Sequence, residues 1–224
     1  MVDGGANDAQ FAERSFEGGL VHAHIRLSRM TQPRPGCPGG HSVLGVGPLK
    51  TLLEERCEQV GMDVAATVLA ISRIPYGRPS QLTATGVLDE WIGTCSTKHV
   101  LLAAVVSESW PDLRPRLWHR PYLVTRELAD ARWGGAVAEA VPAIGLVDVH
   151  TFATLDLNGQ RVRVDVTLPL SGWDGVSDVP LACGPGPDHP AGDDALASKT
   201  QLVLRHCDPA VREPFIAALS AVNS

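Results

Sequence analysis

One cysteine in the sequence lies where a reactive thiol would be expected. Cys95 follows Gly93 and Thr94 and opens the run CSTKHVLLAAVV, in which leucine and valine recur at helical spacing. Thr94 is a suitable N-cap, so a helix is predicted to begin at about Cys95. The dipole and the free amides of a helix N-terminus stabilise a thiolate, which is the nucleophilic form of cysteine. Cys95 is therefore a small core residue, a metal ligand or a nucleophile, and its partners decide which.

A predicted β-hairpin further along the chain brings a histidine and an aspartate together. Asn158-Gly159, within GLVDVHTFATLDLNGQRVRVDVTLPL, favours a two-residue type I′ turn. That turn sets a register in which His150 opposes Thr167 and Phe152 opposes Asp165. His150 and Asp165 then share one face as diagonal neighbours, roughly 7 to 8 Å apart, so the carboxylate can reach the imidazole. The other face is predicted to be core and carries Val149, Thr151, Ala153, Leu155, Leu157, Val162, Val164, Val166 and Leu168.

These three residues together predict acyl-transfer chemistry. The imidazole of His150 would take the proton of the Cys95 thiol, while Asp165 would hold the imidazole in its productive tautomer and stabilise the imidazolium. The backbone amide of Cys95 would help to stabilise an oxyanion. The function favoured by the sequence is therefore cysteine-dependent acyl transfer or amide hydrolysis through a thioester intermediate.

The same residues carry a resemblance to a known family. Gly93-Thr94-Cys95 at a helix start, His150-Thr151-Phe152 on a strand and Asp165-Val166-Thr167 on the next strand resemble the transglutaminase-like branch of the papain-like cysteine enzymes. The resemblance covers about residues 62–170. It implies an α+β fold with a papain-like core, in which the helix bearing the cysteine packs on an antiparallel sheet. It also implies amide or peptide-like substrates, without choosing between a protease, an amidase, a transferase and a cyclase.

An oxyanion hole needs a second donor besides the Cys95 amide. The family tends to draw that donor from the segment upstream of the cysteine, where this sequence has Gln81, Tyr76 and Trp91. These residues are the candidates for oxyanion or substrate binding, and Gln81 is the first choice among them.

Two other classes of function remain open from the sequence. His99 lies four residues after Cys95 on the same helix face, so a metal-dependent enzyme could use Cys95, His99 and His150 as ligands, with Asp165 completing the set. A non-catalytic binding module on the same fold is the third reading. His22 and His24 alternate on one predicted strand but have no further ligand at a recognisable spacing. The favoured reading requires no metal and no organic cofactor.

Composition narrows the class of partner. The chain of 224 residues has 19 basic and 25 acidic residues, a formal net charge of −6, and no local cluster of lysine and arginine. Nucleic acid is therefore not expected as a partner. The expected partner is a small molecule or peptide with an amide or acyl group, and the oligomeric state is left open.

Location and redox state are also predicted from composition. The N-terminus is acidic and glycine-rich, unlike a signal peptide, and no apolar run reaches the roughly 18 residues that a membrane span needs. We therefore expect a soluble, cytoplasmic protein without a membrane partner. The five cysteines are scattered and form no CxxC pair, so free thiols are expected.

The hydrophobic pattern predicts the elements that position these residues. We expect one domain over residues 1–224, with 1–18 flexible, a transglutaminase-like core at 62–170 and a long loop or lid at 171–198. Helices are predicted at 48–60, 64–74 and 126–140, over TATGVLDEW, and from Pro209 onward. An edge strand is predicted at 115–125 because of Pro121, and a strand over TQLVLRH at 200–206.

Overall fold

The computed structural model describes residues 48–222. In this part of the chain, eight α-helices surround one antiparallel sheet of four strands, so the expected α+β class is confirmed. The order of elements is α1 (Leu49–Cys57), α2 (Val64–Ser72), α3 (Ala84–Glu90), α4 (Cys95–Ser109), β1 (Arg116–Val124), α5 (Arg126–Trp133), α6 (Gly135–Glu139), β2 (Leu146–Leu157), β3 (Gln160–Val164), β4 (His189–Pro190), α7 (Ala195–His206) and α8 (Pro209–Val222). The expectations for residues 1–18, His22 and His24 lie outside the described residues.

The hairpin of β2 and β3 has the predicted register. Asn158 and Gly159 form the turn with φ angles of 50° and 78°, as a type I′ turn requires. The strands pair from Ala153 with Val164 to Leu157 with Gln160. Strand β3 ends there, so the predicted pairs of His150 with Thr167 and of Phe152 with Asp165 do not form.

Side-chain hydrogen bonds explain why the pairing stops. The amide of Val166 donates to Nε2 of His99 at 3.0 Å, and the amide of Thr167 donates to Oδ1 of Asp165 at 2.9 Å. Both amides are therefore satisfied without a strand partner. The predicted core face is buried from Val149 to Val166, and only Leu168 is partly exposed.

Strand β1 lies inside the sheet, whose order is β3-β2-β1-β4. The prediction of an edge strand was therefore wrong for its first half, where Trp118 and His119 pair with the two residues of β4. Pro121 lies beyond that short pairing, so its missing N–H costs no hydrogen bond to β4. A proline shows only that its own position donates no hydrogen bond. Strand β4 pairs with two other residues of β1, so Pro121 did not reveal that β1 has a neighbour on this side.

Two apolar cores lie on this framework. The first packs α1 to α4 against β2 and β3, with Leu101, Leu102, Val105 and Val106 of α4 fully buried. The second joins α5, α6 and α8 to β1 and the start of β2, and Cys95 belongs to it. Helix α4 therefore contributes to both cores, the first with its body and the second with its N-terminal residue.

Three predicted elements differ from the structure. The helix expected at 126–140 is divided into α5 and α6 at Gly134, whose φ of 89° is incompatible with a continuous helix. Residues 200–206 are helical instead of extended, since Asp194 caps α7 by accepting hydrogen bonds from the amides of Leu196 and Ala197. The segment 171–188 is a loop as expected, but residues 195–198 belong to α7.

Candidate active site

The N-terminus of α4 is held firmly in place. Thr94 and Thr97 form a reciprocal capping box, in which each side chain bonds the backbone amide of the other residue. The amide of Lys98 donates to the carbonyl of Thr94. Among residues 48–222 the amides of Cys95 and Ser96 have no such partner, so they are free to bind an anion.

Gly93 is required by close packing beneath this N-terminus. Its amide donates to the carbonyl of Pro75, and its carbonyl accepts from the amide of Gly77, which joins the segment around Tyr76 to the start of α4. A Cβ at position 93 would lie 2.6 Å from Cγ of Lys98. Only glycine fits this position without displacing a buried side chain.

His150 and Asp165 form a buried pair. Nε2 of His150 lies 2.7 Å from Oδ2 of Asp165. The carboxylate also accepts the amides of Thr167 at 2.9 Å and Ala182 at 2.7 Å, so it is fully oriented. Burial opposes the charged form of His150, but the charge and hydrogen bond of Asp165 outweigh it and raise the pKa of His150 well above its usual range. Burial likewise opposes ionisation of Asp165, yet the His150 charge holds its pKa well below the usual range.

The Cys95 thiol lies beside this pair and is 5 % exposed. Burial is the largest single influence on the pKa of Cys95 and on its own would raise it. The charge of Lys199, together with the hydrogen bond and the charge of His150, outweighs burial and lowers the pKa to about 6. Since Nε2 of His150 is bound to Asp165, Nδ1 is the ring nitrogen that serves the thiol. The three residues singled out in the sequence are therefore brought together, with a thiolate and an imidazolium as their favoured states.

Lys199 is the functional candidate that the sequence did not reveal. Its Nζ donates to Sγ of Cys95 at 2.9 Å and to Oγ of Ser96 at 3.3 Å, and the side chain is buried. The residue lies on α7, which was predicted as a strand. The available signal was the spacing of Leu196, Lys199 and Leu202 after the capping Asp194, which places a lysine on the buried face of a helix.

His119 anchors α7 and thereby positions Lys199. Its Nε2 lies 2.9 Å from the carbonyl of Ala195 and 3.0 Å from Oγ of Ser198, while Nδ1 bonds Oγ1 of Thr151 at 3.0 Å. Burial, with the charge of Lys199 adding to it, lowers the pKa of His119 to about 4. A neutral imidazole thus ties α7 to strands β1 and β2.

His99 is committed to the backbone and not to a metal. Its Nδ1 bonds the carbonyl of Cys95 at 2.5 Å, and its Nε2 accepts the amide of Val166 at 3.0 Å. Burial lowers the pKa of His99 to about 4, which agrees with a neutral ring holding one proton on Nδ1. Neither nitrogen has a free lone pair for a metal, and residues 48–222 contain no cluster of three or more histidine, cysteine or acidic residues suited to a metal ion.

Lys98 is a buried lysine that connects three backbone segments next to the site. Its Nζ is fully buried and donates to the carbonyls of Ser72, Ile74 and Thr167, each at 2.9 Å. Burial lowers the pKa of Lys98 to about 7. Three carbonyls use all three protons of an ammonium, so Lys98 links the end of α2 to the segment that carries Asp165.

A cavity of about 310 Å³ is lined by Thr94, Ser96 and Lys199, which are neighbours of Cys95, although Cys95 itself is not among its lining residues. Of the three upstream candidates, only Tyr76 lines it; Gln81 is exposed outside it, and Trp91 packs in the first core, 5.9 Å from the guanidinium of Arg56. The cavity is lined by Tyr76, Arg78, Leu82, Thr94, Ser96, Thr97, Leu196, Lys199, Thr200, Val203, Arg212, Glu213 and Ile216.

No helix among residues 48–222 has the length and apolar character to cross a membrane. Comparisons of the chain with protein-family models, curated proteins and solved structures return no match.

Proposed function

We propose that this protein is a cysteine-dependent enzyme that cleaves or transfers amide-linked acyl groups through a thioester on Cys95. One observation carries the proposal: a thiol with a pKa of about 6 lies between the ammonium of Lys199 and an imidazole that Asp165 orients. A thiol at this acidity is largely ionised at neutral pH, whereas an ordinary thiol is not.

The geometry supports a two-step reaction. The thiolate of Cys95 attacks the carbonyl carbon of the substrate, and the imidazolium of His150 gives its proton to the leaving amine. A thioester then joins the acyl group to Cys95. In the second step, His150 takes a proton from water or an acceptor amine, which attacks the thioester and releases the thiolate. Asp165 stays ionised throughout and stabilises the imidazolium.

Two donors are available for the oxyanion of each tetrahedral intermediate. The first is the free backbone amide of Cys95 at the N-terminus of α4. The second is the hydroxyl of Tyr76, a residue that is 4 % exposed and lines the cavity. Burial raises the pKa of Tyr76 well above its usual range, so the hydroxyl keeps its proton as a donor.

The arrangement supports a papain-like or transglutaminase-like core as the fold family. A helix that begins with the cysteine contacts an antiparallel sheet bearing the histidine, and the aspartate follows directly after the next strand, β3. The metal-dependent alternative lacks a specific observation in its favour, because both nitrogens of His99 are occupied. The amide or peptide-like substrate and the choice between hydrolysis and transfer belong to the same proposal.

The decisive experiment is alkylation of Cys95 by iodoacetamide as a function of pH. We expect rapid labelling with a midpoint near pH 6 in the wild type, because the thiolate is the reacting form. In His150→Ala the midpoint should move upward, since the hydrogen bond and charge that favour the thiolate are lost. Labelling is followed for each cysteine by peptide mass spectrometry.

Two comparisons make the result specific. Cys57 on α1 serves as an internal reference, because burial raises its pKa. His206→Ala, which removes an exposed histidine at the end of α7, should leave the midpoint unchanged. If Cys95 labels no faster than Cys57 below pH 7, the protein does not use this thiol as a nucleophile and the proposal fails.

A further inference from the structure

We propose that the substrate carries a carboxylate, which Arg78 binds at the mouth of the cavity beside Cys95. The inference rests on the proposed function and adds the chemical class of the substrate.

The cavity is cationic although the chain as a whole is anionic. Three of its lining side chains are positive and one is negative, namely Arg78, Lys199 and Arg212 against Glu213. The formal charge of the whole chain is −6. A concentration of positive charge in one concave site of an acidic protein favours an anionic ligand there.

Two of the three cations already have buried partners. Arg212 donates from Nε to Oδ1 of Asp148 at 2.7 Å, and both side chains are buried. Lys199 is bound to the Cys95 sulfur. These pairs leave Arg78 as the cation of the cavity that is available to a ligand.

Arg78 is held only loosely by the protein. One nitrogen, Nη2, lies 3.3 Å from Oε2 of Glu213, and the two side chains are 58 % and 49 % exposed. Exposed ion pairs of this kind contribute little and exchange readily. Arg78 therefore has donors free for the two parallel hydrogen bonds that a planar guanidinium makes with a carboxylate.

Acylation of Cys95 adds a reason for an anionic substrate. Formation of the thioester converts the thiolate into a neutral sulfur, so the buried ammonium of Lys199 loses its counter-charge. A buried charge without a partner is costly. A carboxylate in the cavity, which Lys199 and Arg78 both line, compensates this loss in the acyl-enzyme.

The polar groups around the cavity are consistent with a ligand that has acceptor atoms. Thr94, Ser96, Thr97 and Thr200 line it, and so does the Tyr76 side chain, which is 4 % exposed. A phenolic hydroxyl in the wall of the cavity can donate a hydrogen bond to an acceptor atom of a ligand.

The test compares two alkylating reagents that differ only in charge. Iodoacetylglycine carries a carboxylate, and iodoacetylglycinamide carries a neutral amide at the same position. The rate of labelling at Cys95 is measured with each reagent near pH 7, and Cys57 in the same molecule gives the intrinsic ratio. We expect the ratio of the anionic to the neutral rate to be higher at Cys95 than at Cys57.

The charges of His150 and Lys199 also attract anionic reagents to Cys95. Three variants therefore measure how much of the rate ratio depends on Arg78. Arg78→Gln should lower the ratio at Cys95 about threefold, the size of effect that a partly exposed ion pair gives. Glu213→Gln should raise it, because it removes the competing carboxylate. Arg205→Gln, an exposed charge of α7 outside the cavity, should leave the ratio unchanged.

The outcomes are distinguishable. If Cys95 reacts fast with the neutral reagent but shows no higher ratio than Cys57, or if Arg78→Gln keeps the wild-type ratio, the carboxylate inference is overturned while the proposed function stands. If Cys95 is slow with both reagents, the proposed function and the inference that rests on it both fail.

Discussion

At the scale of single residues, the low pKa of Cys95 depends on two cations, one on the sheet and one on a distant helix. His150 is a neighbour on the sheet and could be anticipated from the hairpin register. Lys199 lies 104 positions further along the chain, on α7. Both lower the pKa of Cys95 against the opposing effect of burial: Lys199 acts through its charge, which is the largest single lowering effect, and His150 acts through both a hydrogen bond and its charge.

We predict that Lys199→Met raises the pKa of Cys95 by about one to three pH units, the range expected for loss of an opposite charge at contact distance. Methionine retains most of the buried aliphatic stem, so the fold should be preserved. The measurement is the pH midpoint of iodoacetamide labelling at Cys95. Lys50→Met, on the partly exposed side of α1, is the matched control. An unchanged midpoint in Lys199→Met would mean that His150 alone sets the acidity.

The sequence revealed the candidate site only where local rules apply. Cys95 was identified by a helix start, and His150 with Asp165 by a turn that fixes the register, all of which depend on residues close in the chain. Asp165 nevertheless lies beyond the end of β3, because the amide of Val166 bonds His99 instead of a strand. Lys199 contacts the thiol through tertiary packing, which no local pattern specifies, although its helical spacing places it on a buried face of α7. Tyr76 was among the candidates only through the resemblance.

At the scale of elements, the junction between Gly93 and α4 fixes where the thiol lies. The segment around Tyr76 pairs with Gly93, and the Lys98 stem passes directly beneath it. Lys98 cannot move aside easily, since its ammonium is bound to three carbonyls. The start of α4 is therefore a rigid support instead of a flexible loop.

We predict that Gly93→Ala lowers the free energy of unfolding by about 1 to 3 kcal/mol, as expected when an extra methyl is forced into a packed site. The added Cβ would lie 2.6 Å from Cγ of Lys98. Gly172→Ala is the control, because a Cβ there meets no atom within 4 Å. The two variants are compared by urea unfolding, and equal stabilities would show that the junction is not tightly packed.

Elements were predictable where a strong local signal marks them. The β2–β3 turn, the N-cap of α4 and the proline that opens α8 were all found at the expected positions. The strand expected at 200–206 is part of α7, because the apolar residues of TQLVLRH suit either period and the cap at Asp194 decides between them. The sheet order depends on the two-residue strand β4, which leaves no recognisable pattern in the sequence.

At the scale of the whole molecule, buried neutral histidines make the fold sensitive to acid. His99 joins α4 to the segment after β3, and His119 joins β1 and β2 to α7. Both side chains are fully buried, and both have pKa values lowered to about 4 by burial. In the unfolded chain the same groups titrate at their usual value of about 6.5.

These pKa values make the protein less stable in acid. As the pH falls below about 6.5, the unfolded chain binds protons that the native protein does not, so the free energy of unfolding decreases down to about pH 4. Each histidine contributes up to roughly 3 kcal/mol over this window. His150 has a raised pKa and Asp165 a lowered one, so their contribution is nearly constant between the usual values of about 6.5 and 4 of the unfolded groups. Cys95, with a native pKa of about 6, adds a fraction of a proton to the uptake near pH 6, because the unfolded thiol is protonated throughout this interval.

We predict that the free energy of unfolding falls between pH 6 and pH 4.5 with an uptake of about two protons. His119→Gln should reduce the uptake to about one proton, because glutamine keeps a donor for the Ala195 carbonyl but does not titrate. His206→Gln removes an exposed histidine and should leave the slope unchanged. Urea unfolding at several pH values gives these slopes. If the free energy of unfolding of the wild type does not change over this interval, the two buried imidazoles are already protonated in the native protein. The hydrogen bonds by which His119 and His99 join α7 and α4 to their neighbours would then be made by charged rings instead of neutral ones.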